Sequence, residues 1–446
     1  MTLDTQDPFA PLRHQIAPVR RGGPVGRISR LDASGFGVEG LSRHARLGDD
    51  LVYLDDRGVR HRAEVVRLEQ GMLWAVPFGV PEGLRIGLIV ETSGPPSIGP
   101  DDSWIGRIVD PFGMPIDDRH LLRGAERSLT AAPPAATRRR AMGRRQRTGY
   151  AVLDTMLPIA RGQRIGLFAG SGVGKSTLLG KLACEMEADV CVLALVGERG
   201  REVSDFVHRV LGPEGMARTV VVAATSDMSA GLRRRSGATA LSVAEHFRDQ
   251  GKQVLLLFDS VTRLAEAHRE IACAGGEGGD LRGFPPSLVP LLAGLAERAG
   301  PGADGQGDIT AVFTVLVAGS DLEEPVADIV RGQLDGHVVL SRDIAEAGRF
   351  PAIDVLRSVS RSLTGVATAE ENALIGEARR VLGTRDRSHL MVSSGLYERG
   401  SSADIDRSMM IGPRLDRIFE MSGVETPHLS FKALADALGL PFKADL

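Results

Sequence analysis

The sequence predicts an α/β protein: a largely parallel sheet flanked by helices, with a small N-terminal β-barrel before it and a short C-terminal helical domain after it. Three observations carry this. From about 150 to 365, apolar strand-length runs alternate with helical patterns. From 25 to 93, short strand-like runs are separated by Gly- and Asp-rich turns, as in a small antiparallel barrel. Near the start of the alternating region, "RIGLF" leads through "AGSGVG" into "KSTLLGKLACEM", a strand, a glycine-rich loop and a helix in succession.

Composition sets bounds. The chain has 446 residues, enough for two or three domains, and a net charge of −3. That balance argues against a dedicated nucleic-acid binder, although a local cluster could still bind one. Aromatic residues make up 4%, so the core must be mostly aliphatic. Cys184, Cys191 and Cys273 have no metal-site spacing and fit a reducing compartment. No apolar run approaches the roughly 18–20 residues of a membrane span. The N-terminus "MTLDTQDPFAPLRHQ" lacks the apolar core of a signal peptide.

In chain order, residues 1–24 read as a mobile segment. Phe9, Leu12 and Ile16 have helical spacing, which suits either a free tail or a docking segment for a partner or membrane surface. The barrel region (25–93) runs through "VGRISRL", "GFGVEG", "DLVYLDD", "RHRAEVVRLEQ", "GMLWAVPFG" and "LRIGLIVE". Residues 94–150 form a connector containing "RRRAMGRRQR", either an RNA patch or a solvated linker or subunit surface. Residues 151–369 are the α/β domain, with strands at "QRIGLFA", "DVCVLALVG", "RTVVVAAT", "QVLLLFDS", "DITAVFTVLV" and "GHVVLSR". Residues 370–446 read as helices, in "ENALIGEARRVLG", "DRSMMIGPRLDRIFEM" and "SFKALADAL".

The glycine-rich loop fits G-x-x-x-x-G-K-[ST], except that Ala169 stands in place of the first Gly. Backbone N–H groups of Gly170, Ser171, Gly172, Val173 and Gly174 would cradle an anion at a helix N-terminus. Lys175 would reach β- and γ-phosphates, the Ser176 hydroxyl would ligate Mg²⁺, and Thr177 follows in the first helical turn. Ala169 sits at the strand end, before the curl, so its methyl need not meet phosphate. Three further strand ends carry polar groups where parallel sheets bind ligands. Glu198 and Arg199 follow "VCVLALVG"; the carboxylate suits the orientation of an attacking water, or merely begins a helix. Asp259 ends "QVLLLFD", as a Walker B metal-holding Asp or a helix cap. Arg263 lies one turn on. Arg361 ends "RFPAIDVLRSVSR", as an internal salt bridge or a finger for a neighbour's nucleotide.

These blocks together resemble the rotary-ATPase and type III export ATPase family, most closely its flagellum-specific branch. The matching residues are 161–179, "GERGREV" (197–203), "LLLFDSVTRLAEAHREI" (255–271), "RGFPPSL" (282–288), "EPVADIVRGQLDGHVVLSR" (324–342) and "GRFPAIDVLRSVSR" (348–361). "GRIVDPFGMPID" (106–117) resembles the family's connector, and the likeness covers nearly all the chain past residue 25. It implies a RecA-like P-loop core hydrolysing ATP with Mg²⁺. Lys175, Glu198, Arg199 and Arg361 would be catalytic, and Ser176 and Asp259 would hold the metal. It also implies a homohexamer in the cytoplasm, peripheral at the inner face of the cytoplasmic membrane. The implied partners are a negative regulator, stalk proteins, an export gate, chaperones and cargo, with possible membrane contact and no nucleic acid. Two departures stand out. "EGGDLRGFPP" lacks a Pro-Pro common before this motif. Leu316 replaces an adenine-packing Tyr of the rotary subunits, for which Tyr397 in "SSGLYERG" is the substitute. A silent regulatory subunit would carry Gln where Glu198 stands. A rotary synthase subunit would have a longer C-terminal domain. A Rho-like RNA translocase would need barrel aromatics (Phe36, Tyr53, Trp74, Phe78) exposed to stack bases. The virulence injectisome ATPase shares the same chemistry and is the nearest rival.

Overall fold

The computed structural model describes residues 23–442 except Glu82, Asp118, Leu281 and 318–321. The expected N-terminal segment, with Phe9, Leu12 and Ile16, therefore lies outside the described residues apart from Gly23 and Pro24. Internal contacts divide the chain into two units. One runs to Pro96 and includes Ile271–Glu277; the other holds Ser97–Glu270 and Gly278–Leu446.

The first unit is a closed antiparallel barrel in the order β1 (Val25–Leu31), β2 (Phe36–Glu39), β5 (Met72–Pro77), β4 (Arg60–Leu68), β3 (Asp50–Leu54), β6 (Ile89–Gly94), with β6 returning to β1. Ile28, Phe36, Val38, Leu51, Tyr53, Val65, Leu73 and Val90 fill it. Breaks of register in β1 (Ile28/Arg30) and β4 (Val65/Arg67) supply the bends that closure needs. Phe36, Tyr53, Trp74 and Phe78 are all buried, so none of these four rings is open for a base to stack on.

In the second unit, two small ribbons, β7 (Ser97–Ile98) with β9 (Arg127–Ser128) and β10 (Arg145–Gln146) with β11 (Ile159–Ala160), flank a nine-stranded sheet. Its members are β8 (Ile108–Val109), β12 (Arg164–Ala169), β13 (Val190–Glu198), β14 (Thr219–Thr225), β15 (Val254–Asp259), β16 (Gly300–Pro301), β17 (Asp308–Leu316), β18 (Gly336–Leu340) and β19 (Ile353–Ser360). The order is β19-β18-β12-β17-β15-β13-β14-β8, with β16 paired to β17. Neighbours are parallel except β18–β19 and β16–β17. The central strands are apolar throughout because both faces are covered. Leu193, Leu195, Leu255 and Leu257 face one core; Val192, Ala194, Leu256 and Phe258 face the other.

The first core takes Leu178 and Leu182 of α1 (Lys175–Glu185). The second takes Leu241 and Phe247 of α2 (Ala230–Asp249), Leu264 of α3 (Val261–Ala274), Leu292 and Leu295 of α4 (Leu288–Arg298) and Val330 of α5 (Pro325–Gln333). The chain closes with α6 (Ala369–Ser393), α7 (Ala403–Glu420) and α8 (Pro427–Leu438), which extend the first core through Leu374, Leu415, Phe419 and Phe431. A capping box starts α6, with Thr368 and Glu371 exchanging side-chain-to-backbone hydrogen bonds.

Much of the basic run of the connector is bonded to the rest of its own unit. Arg139 donates to the Ala299 and Glu297 carbonyls, and Arg140 to the Gln306 carbonyl and Asp308. Arg144 pairs with Glu187 at 2.7 Å, Arg145 with Glu371 at 2.8 Å, and Arg147 donates to the Glu185 carbonyl. These contacts fasten the connector to the α/β unit, while Arg138, Arg140 and Arg144 remain exposed.

Candidate active site

Because β12, β13, β15 and β17 are parallel, their carboxyl ends share one edge. Ala169 stands opposite Leu316, and Leu195 opposite Asp259. A cleft of about 1250 Å³ opens there, lined among others by Gly172, Lys175, Ser176, Glu198, Thr262 and Arg263.

The loop from β12 to α1 forms the floor. Gly172 and Gly174 have φ of 78° and 91°, values that favour glycine, and Gly174 is the N-cap of α1. Ala169 is fully buried and packed in the core, and it also borders the inner end of the cleft. Gly170, Ser171, Gly172, Gly174, Lys175 and Ser176 line the space. Val173 is buried in the core, so its side chain anchors the loop and only its backbone is left for a ligand. Thr177 is exposed but lies outside the lining.

Lys175 joins the two acidic strand ends. Its Nζ lies 2.5 Å from Asp259 Oδ1 and 3.7 Å from Glu198 Oε1. The same Asp259 oxygen accepts from Thr314 Oγ1 at 2.7 Å. Asp259 is thus buried beneath the cleft, outside its lining, with its bonds directed to Lys175 and Thr314 rather than to the helix that follows. Glu198 is turned in by the end of β13. Gly197 has φ of 71° and the pairing with β14 shifts register between Val196 and Glu198. Burial raises the Glu198 carboxyl to about 7; Lys175 opposes the rise, while Asp259 and Glu202 add to it. A carboxyl poised near neutrality, beside a cation and open to a cleft, is suited to accept or orient a water proton.

Towards the rim, Arg199 is 81% exposed and lies 3.8 Å from Glu202. Arg263 pairs with Glu266 at 2.9 Å on the wall. Arg361, at the end of β19, lies outside the lining. Its backbone N–H donates to the Asp335 carbonyl and its side chain is exposed, with no carboxylate partner among the described residues. No salt bridge to a described carboxylate therefore accounts for its place.

Tyr397 is not brought to the cleft. It sits between α6 and α7, with its hydroxyl 3.0 Å from both the Ser402 carbonyl and Asp406 Oδ1. An aromatic beside the loop is Phe350, which sequence reasoning passed over and which adjoins Gly174 without itself lining the cleft. Its ring is half exposed, and a side chain built at Gly174 would begin 3.4 Å from it. The available signal was an aromatic next to proline in "GRFPAID", just beyond the strand beside the loop strand.

No cluster of three or more His, Cys, Asp or Glu able to hold a metal occurs among the described residues. What the floor offers instead is the Ser176 hydroxyl and the Asp259 carboxylate. That donor set suits a Mg²⁺ ion arriving with a polyphosphate and keeping several waters.

Comparison with known proteins agrees with this geometry. A family model, "ATP synthase alpha/beta family, nucleotide-binding domain", matches residues 149–360. The flagellum-specific ATP synthase of Bacillus subtilis (strain 168) is 40% identical over 414 residues, covering 92% of this chain and 93% of that protein. The type 3 secretion system ATPase of Xanthomonas euvesicatoria is 40% identical over 422 residues, covering 94% of each. The assembled ATPase EscN of the enteropathogenic E. coli type III secretion system superposes with a TM-score of 0.86 at 35% identity, over 93% of this chain and all of that one. EscN in complex with its central stalk EscO gives 0.83 at 35% identity over the same shares. The chain is thus an ATP hydrolase of the ATP synthase alpha/beta family, and it belongs to the branch that holds the flagellum-specific ATP synthases and the type III secretion ATPases.

Proposed function

We propose that the chain hydrolyses Mg-ATP in a ring of six copies and so drives or primes protein export through a flagellar type III apparatus. The observation that carries the chemistry is the Lys175–Asp259–Glu198 floor beneath a glycine loop at one end of a large cleft. Lys175 and the loop N–H groups bind the phosphates. Ser176 and Asp259 would hold Mg²⁺, which supplies charge neutralisation at the phosphate oxygens when bound. Glu198 orients the attacking water and takes up its proton. Arg199 stands at the mouth. Phe350 stacks on the adenine in the place Tyr397 does not reach. Arg361, exposed and unpaired with any described carboxylate, serves the nucleotide of the next copy in the ring.

The ring and a stalk partner are supported by the likeness to EscN, which assembles and forms a complex with its central stalk EscO. A negative regulator, an export gate, chaperones and cargo complete the proposed set, with the ring in the cytoplasm against the inner face of the membrane. Among the described residues no helix is long and apolar enough to cross a membrane. A virulence injectisome is the second reading, favoured by the Xanthomonas relative and by the likeness to EscN. Deleting the gene in the source organism and analysing the culture medium separates the two. The flagellar reading expects loss of hook and filament proteins and of motility. Intact flagella with loss of other secreted proteins would establish the second reading instead.

A further inference from the structure

The residue before Phe350 is held by the C-terminal helices. Arg349 is mostly buried, with its side chain 13% exposed. One guanidinium nitrogen donates to Asp416 Oδ1 on α7 at 3.1 Å, and the other to the Ile353 carbonyl at 2.9 Å. The guanidinium also lies over the Phe419 ring, 5.6 Å from its centroid. The second Asp416 oxygen accepts from Arg385 of α6 at 2.5 Å. A buried guanidinium without a carboxylate would be strongly disfavoured, so this pairing fixes where Arg349 lies. The Phe350 ring, half in water, has little packing of its own to hold it against the loop at Gly174.

We propose that Asp416, braced by Arg385, is a positioning residue that sets Phe350 over the phosphate loop through Arg349 and thereby sets the affinity for the adenine end of the nucleotide. This rests on the reading of Phe350 as the adenine platform. The phosphate end of the site is built on other strands and is independent of the latch. Its loss therefore weakens ATP binding without touching polyphosphate binding or the chemical step.

The test compares Asp416→Asn, Asp416→Glu and Phe350→Ala with the unmodified chain. It measures KM and kcat for ATP, the inhibition constant of inorganic tripolyphosphate, and thermal unfolding. Asp416→Asn should raise KM for ATP about tenfold, with kcat within about twofold and tripolyphosphate inhibition unchanged. Asp416→Glu should recover most of the loss. An unchanged KM in Asp416→Asn, or tripolyphosphate affinity falling in step with ATP affinity, overturns the proposal. An unchanged KM in Phe350→Ala overturns the platform itself. A raised KM in Phe350→Ala beside a normal Asp416→Asn leaves the platform standing and removes the latch. Should Asp416→Asn fail to fold, Arg349→Gln decides the same question: it removes the guanidinium that Asp416 holds, and an unchanged KM there overturns the proposal.

Discussion

The two ends of the cleft are built differently. The phosphate end is made where strands stop: the loop after β12, Glu198 closing β13, Asp259 closing β15 and Thr314 near the end of β17. Sheet hydrogen bonds hold each of these, and their charges are spent on one another through Lys175. The base end is a single half-exposed ring on the turn between β18 and β19, tied to a helix far along the chain. The difference teaches a division of labour. On the proposed reading, strand ends place groups that act on the transition state, while a tethered aromatic supplies binding that is the same before and after the chemical step.

The largest effect should come from the group given to a neighbour. Arg361→Ala should lower kcat by roughly 10³–10⁵ if the residue serves the next copy's nucleotide. Lys175→Ala should also be nearly inactive. Mixed, the two should recover activity, because some interfaces then pair an intact Lys175 site with an intact Arg361, and recovery should rise with protein concentration. A chain carrying both changes should rescue neither single variant. No recovery on mixing would move Arg361 out of the account.

At the base end the expected signature is different. Phe350→Ala should raise KM for ATP with kcat nearly unchanged. Stacking of a base on an aromatic is worth about 1–3 kcal/mol, so the rise should be roughly 5–150-fold. A fall in kcat with KM unchanged would contradict the division between the two ends.

Legibility follows the same line. The phosphate end could be read from sequence because each part is local: an apolar run, then the polar residue that ends it. Lys175, Ser176, Glu198 and Asp259 stand out in that way; the parallel sheet brings the first three to one cleft and sets Asp259 against Lys175. Phe350 could not be read so. Its role depends on β18 lying beside β12, a long-range pairing that no local pattern displays. Tyr397 lies away from the cleft lining, with its hydroxyl satisfied by the Ser402 carbonyl and by Asp406 of α7. The arginines of 139–147 taught a related lesson. Several of their acceptors are backbone carbonyls distant in sequence, such as Ala299 and Gln306, which composition does not reveal.

The smallest effect concerns pH and stability. Glu198 is raised in the folded state to about 7, from an ordinary value of 4.5. A raised carboxyl binds its proton more tightly folded than unfolded, so its relative contribution is fully present below about 4.5 and is lost as pH rises towards 7. Glu198→Gln, which has no charge to bury, should therefore unfold at a higher temperature than the unmodified chain at pH 8. The advantage should vanish near pH 4. A difference independent of pH would mean that the Glu198 carboxylate is not held against its ionisation.

The central claim is that Glu198 acts on the water that attacks a nucleotide held by Lys175 and the loop. Glu198→Gln keeps the size and hydrogen-bonding capacity of the side chain but removes the carboxylate. Equilibrium binding of ATP with Mg²⁺ and single-turnover phosphate release should be measured on this variant side by side. The account predicts ATP binding close to that of the unmodified chain, with hydrolysis slower by roughly 10²–10⁴. Unimpaired hydrolysis, or loss of ATP binding, would contradict it.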